Sequence, residues 1–189
     1  VSAFDFDLDD DEPTGEQPRA ARAPVGAVLI PLLALIIAIY LEIALAIDAR
    51  LLGAVPDLVL IVVVAVALRY GALVGACAGF AAGLLIDIAV QGPFGASALV
   101  LTPLGWGAGV WAERRRRVSL GMALVVLLVA TLLLLLGEAL VATTIANQAV
   151  AWGTFPIRAL AELAATLLVG ILLLPLLRRV MGVPEQGPA

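Results

Sequence analysis

Apolar residues run along this chain in six blocks, broken by short polar or proline-bearing stretches. The first, 27–47, is interrupted only by Tyr40 and Glu42. At about 1.5 Å per helical residue it covers the roughly 30 Å hydrocarbon layer of a bilayer. Asp48, Arg50 and Gly53 then lead to Pro56, which suits the first turn of a helix because its missing N–H costs nothing there. The second block, 56–68, is short and rich in Val and Ile. A lone strand in lipid would leave its backbone unpaired, so the block predicts a short, strongly embedded helix.

The third block, 71–90, and the fourth, 94–111, are separated by Gln91-Gly92-Pro93, a turn sequence, and Trp106 and Trp111 fit a passage out of lipid. The fifth, 118–141, is interrupted between Leu124 and Leu136 only by Thr131. Asn147, Gln148 and Trp152 form the next break. Pro156 opens the sixth block, 156–177, in which Pro175 is expected to kink the last turn. The pattern predicts an all-α, polytopic membrane protein with six transmembrane helices over residues 24–181, flanked by tails at 1–23 and 182–189.

Composition agrees. Of 189 residues, 63% are hydrophobic and 14% charged, with a mean hydropathy of +1.13; a soluble domain could not cover itself with so little polar surface. The net charge of -4 comes from the first 23 residues, where Asp5, Asp7, Asp9, Asp10, Asp11, Glu12 and Glu16 outweigh Arg19 and Arg22. A cleavable secretory leader would begin basic and turn apolar at once. This acidic, proline-containing opening predicts instead a disordered cytoplasmic tail.

Six crossings from a cytoplasmic start place Arg19, Arg22, Arg69, Arg114, Arg115, Arg116, Arg117, Arg178 and Arg179 inside, nine of the 11 basic residues, and leave Arg50 and Arg158 outside. That sorting is what the positive-inside rule demands, and it places both termini in the cytoplasm. The run Arg114 to Arg117 fixes topology and meets anionic lipid headgroups, and it could dock a cytoplasmic partner. Nothing resembles a basic stripe for a nucleic acid backbone.

With this orientation Glu42, Asp57, Asp87, Glu138 and Glu162 all fall in the outer half. A charge at mid-bilayer is costly, so these acids sit near the headgroups, face the bundle interior, or are protonated. Arg158 and Glu162, four apart on one helix, share a face, and Arg158 could equally meet Glu138 or Asp87. The chain has no His and one cysteine, Cys77, so it has neither an internal disulfide nor a Cys/His metal site. No nucleophile-and-base set or phosphate loop appears, which predicts a protein that is not an enzyme and carries no cofactor.

Gly71, Gly75, Gly79 and Gly83 recur every four residues, with Asp87 next at the same interval, and Gly105 and Gly109 repeat the spacing in the fourth block. Small residues so placed let a neighbouring helix approach backbone to backbone, either within the monomer or across a homodimer. Asp87, at the end of the stripe, is the acid most clearly positioned for a role.

The stretch opened by Pro56-Asp57-Leu58-Val59-Leu60, continuing through Arg69, Gly71, Gly75, Gly79-Phe80 and Gly83-Leu84-Leu85-Ile86-Asp87 to Gly92-Pro93-Phe94-Gly95 and the glycine-rich fourth block, resembles the rod-shape-determining MreD family. That resemblance implies a non-catalytic scaffold of the bacterial cell-elongation complex, supporting peptidoglycan synthesis. It implies binding to the bitopic protein MreC, in an assembly with MreB, RodA and its transpeptidase. It marks Asp57, Asp87 and Gly95 as family-pattern positions. The family is also similar in fold to the substrate-binding membrane subunits of energy-coupling-factor transporters, so a vitamin-type uptake subunit is the alternative.

Overall fold

The computed structural model describes residues 25–48, 55–90, 94–115, 118–144 and 155–181. Within them it is all-helical: α1 (Val25–Asp48), α2 (Leu58–Tyr70), α3 (Ala72–Val90), α4 (Ala96–Glu113), α5 (Leu120–Thr144) and α6 (Phe155–Val180). The helices correspond one to one with the six apolar blocks and differ at their ends by a few residues. The tails 1–23 and 182–189, Arg50, Gly53, the Gln91-Gly92-Pro93 turn, Arg116, Arg117 and the break at Asn147, Gln148 and Trp152 lie outside the described residues.

Three helices have the length and apolar composition to cross a membrane on those grounds alone: Ala72–Val90, the Leu120–Val141 part of α5, and Phe155–Val180. Ile30–Leu45 and Leu58–Tyr70 are apolar but shorter.

The centre of the bundle is α2. Every residue from Leu58 to Ala67 is buried, and α2 touches all five other helices. A helix apolar on every side has no polar face to offer water, so it takes the central position. Its β-branched content does not make it a strand, because a helix pairs its backbone internally while its neighbours fill the space on every side. Around it α3 packs on α4, α4 on α5, α5 on α6, and α1 on α3. The outward faces are apolar too: Leu33, Ile37, Leu73, Phe80, Leu132 and Leu172 are all exposed. An apolar exterior around an apolar core belongs to a protein whose solvent is lipid.

The short α2 is set towards one end of the bundle. At its start the Asp57 N–H donates to Thr166 Oγ1 at 3.0 Å. Thr166 is 11 residues into α6, so α2 begins roughly 16 Å along that helix, at about 1.5 Å per residue. At its other end Arg69 Nε reaches the Met181 carbonyl at 3.5 Å. There too the Arg178 guanidinium donates to the Val118 carbonyl at 3.1 Å and to the Ser119 carbonyl at 3.4 Å, tying the end of α6 to the start of α5.

One proline expectation changes. Pro56 lies before the helix rather than in its first turn, because Asp57 takes the N-cap position and its carboxylate accepts from the Leu60 N–H at 2.7 Å. Pro175 sits inside α6, which continues through it to Val180.

Candidate functional site

The residues singled out by the glycine spacing come together along one line, the contact between α3 and α4. A methyl group placed on Gly75 would lie 2.5 Å from the Gly105 carbonyl oxygen. One on Gly79 would strike the Leu101 carbonyl, one on Gly83 the Ala98 backbone, one on Gly105 the Gly75 carbonyl, and one on Gly109 the Ala72 backbone. The two helices therefore run antiparallel with their backbones in contact, and only hydrogen fits at these five positions. The stripe is used within the monomer, which leaves no part of it free for a homodimer contact of the same kind.

Each end of this line is closed by a carboxylate. Asp87, buried at the C-terminal end of α3, accepts from the Gly95 N–H at 2.7 Å and the Ser97 N–H at 3.1 Å. These are donors at the start of α4 that have no partner inside the helix. Gly95 holds φ +89, a left-handed conformation that lets the chain turn into α4 with its N–H aimed back at Asp87. At the opposite end Glu113, the last residue of α4, turns back so that its Oε1 accepts from the Ala72 N–H at 2.7 Å. Gly71 there holds φ +91, and a side chain on it would collide with that same carboxylate. The last turn of each helix thus caps the beginning of the other, a reciprocal latch of three charge-assisted hydrogen bonds from two carboxylates.

The start of α2 is treated in the same way. Besides its own cap, Asp57, it receives Glu42 from α1, whose Oε2 accepts from the Val59 N–H at 2.9 Å. Glu138 of α5 and Glu162 of α6 lie within electrostatic reach of the Asp57 carboxylate. Of the five acids grouped by the sequence, four therefore surround the recessed start of α2, while Asp87 serves α4. Among the described residues Arg158 makes no hydrogen bond or ion pair with Glu162, Glu138 or Asp87. It is exposed.

Sequence reasoning placed Asp57, Asp87 and the glycines but missed three partners. Glu113 adjoins the arginine run in sequence, but it stands four residues beyond Gly109 and so on the same stripe. Glu42 and Thr166 gave no local signal, since their partners are 17 and 109 residues away in sequence. No group of three or more His, Cys, Asp or Glu side chains among the described residues could hold a metal ion.

The family model described as rod shape-determining protein MreD matches residues 23–182, a span that takes in all six helices. The chain belongs to the MreD family. It is therefore a cell-shape-determining integral membrane protein. No curated protein and no solved structure matches it. The matched region places the α3–α4 line and the capped start of α2 inside the segment that defines membership.

The geometry predicts the stability of four variants, each checked by thermal unfolding of the purified protein in detergent. Gly79→Leu should cost about 3 kcal/mol or prevent folding, because the collision is with backbone that cannot step aside. Gly107→Ala, where an added methyl meets nothing within 4 Å, should leave stability unchanged or slightly raised. Asp87→Asn should lose about 1–3 kcal/mol, since a neutral amide has one acceptor oxygen for two N–H donors. Glu113→Gln keeps the single acceptor that Ala72 needs and should cost less.

Proposed function

We propose that this chain is a non-catalytic scaffold of the bacterial cell-elongation complex, crossing the inner membrane six times and holding the single-span protein MreC beside the machinery of peptidoglycan synthesis. MreB, RodA and its transpeptidase complete the assembly in this reading. The observation that carries it, beside family membership, is the latched α3–α4 pair. It is the most closely packed helix pair of the bundle, and its outward face, with Leu73, Phe80 and Ile88 on α3 and Leu99 and Trp106 on α4, is exposed and apolar. A partner helix gains affinity from a surface that is already ordered, because less freedom is lost on binding.

Sorting of the arginines supports the orientation. Arg69, Arg114, Arg115, Arg178 and Arg179 stand at one end of the bundle, and Glu42, Asp57, Asp87, Glu138 and Glu162 lie towards the other. The positive-inside rule then makes the arginine end cytoplasmic. The carboxylates around the start of α2 favour a second reading, a solute-binding subunit like those of energy-coupling-factor transporters. Against that reading, Glu42 and Asp57 each already commit an oxygen to an N–H group of α2. Micromolar or tighter binding of a vitamin by the purified protein would overturn the scaffold reading.

Photo-crosslinkers placed at Leu73, Phe80 and Trp106 in growing cells should capture MreC, whereas the same probe at Leu172, on the exposed face of α6, should not. Capture of lipid alone, or only of further copies of the chain, would refute the proposal. In a background lacking Cys77, Ser119→Cys should react with a membrane-impermeant maleimide only after the cytoplasmic side is opened.

A further inference from the structure

The arginine end holds a feature that the scaffold role leaves unused. Glu113 is the only acid between Asp87 and Glu138 in sequence, and its carboxylate is turned inward onto the Ala72 N–H. It is thereby withdrawn from the arginines that follow it. Arg114 is exposed and has no side-chain partner among the described residues. Arg115 is exposed, its guanidinium lying 4.8 Å from the centroid of the Trp111 ring, with one weak polar contact, Nη1 to Met122 Sδ at 3.7 Å.

Stacking occupies the face of a guanidinium and leaves its edge free, and that edge is a planar fork of N–H donors matched to the oxygens of a phosphate. Trp111 is half-buried at the end of α4, where an indole ring favours the headgroup level of a membrane. Two uncompensated guanidinium groups, one of them oriented by a ring at that depth, thus stand beside the lipid.

We propose that the end of α4, through Arg114 and the Trp111-stacked Arg115, binds the phosphate of an anionic phospholipid of the surrounding membrane. The source is the lipid rather than a free phosphate, because the indole that orients Arg115 belongs at the acyl–headgroup boundary. Net negative charge is required, since a zwitterionic headgroup carries its own ammonium to compete with the guanidinium. This assignment needs only the family's membrane location and is independent of MreC.

The full chain, purified in detergent containing equal amounts of phosphatidylglycerol and phosphatidylethanolamine, is examined by native mass spectrometry. The parent should retain phosphatidylglycerol in preference, and the double variant Arg114→Gln/Arg115→Gln should retain on the order of 25-fold less, a loss of roughly fivefold for each charge removed. Arg158→Gln, exposed at the other end of the bundle, should behave as the parent. Arg114→Gln alone removes a side chain without partners and keeps the test open if the double variant does not fold; it should show the smaller part of the loss. Unchanged phosphatidylglycerol retention in the folded variants, or equal retention of the two lipids by the parent, would overturn the proposal. Displacement of the lipid by inorganic phosphate would overturn the lipid assignment.

Discussion

A helix that begins inside an apolar bundle brings N–H groups that its own backbone cannot satisfy, and no water is at hand to do so. The recessed start of α2 is under that constraint, and carboxylates meet it there as they do at the starts of α3 and α4 nearer the ends of the bundle. Glu42 and Asp57 serve α2, Glu113 serves α3, and Asp87 serves α4. The same contacts answer the reverse problem, the cost of placing an anion among apolar side chains, because the helix N-terminus supplies both hydrogen bonds and a positive dipole end. Two unfavourable groups are thus consumed together, and the positions of α2, α3 and α4 relative to one another follow from the pairs.

Glycine spacing does the rest along the α3–α4 contact. Hydrogen bonds at the ends fix the register of the two helices, and the absence of side chains between them fixes their separation. Neither would suffice alone: a glycine stripe without end contacts can slide by one turn, and end contacts without a stripe cannot close the gap. Burial of α2 follows from the same arrangement, since the close pair, together with α1, α5 and α6, wraps a helix that has no polar side.

Much of this was legible in the residues. Hydropathy located all six helices, because an apolar block in lipid has little choice but to coil. The four-residue recurrence of Gly71, Gly75, Gly79 and Gly83 gave the packing line and Asp87 its end, since periodicity on one helix is a local property. What a single sequence does not carry is the partner. That Glu42 reaches Val59, that Thr166 receives the Asp57 N–H, and that Glu113 turns towards Ala72 rather than towards its neighbouring arginines all depend on which helices become adjacent. Glu113 adjoins the arginine run, but its four-residue spacing from Gly109 puts it on the stripe, and there its contact forms. Spacing on one helix left Arg158 a choice among Glu162, Glu138 and Asp87, and among the described residues it stands exposed and pairs with none of them.

The reciprocal latch also governs how force travels through the molecule. Because each of α3 and α4 grips the beginning of the other, a shear that displaced one along the other by a single residue would break contacts at both extremities at once and drive side chains into the glycine notches between. The pair can tilt or translate as a unit, but it cannot telescope. A displacement applied to one helix of the pair is therefore passed to the other at both ends, as through a strut.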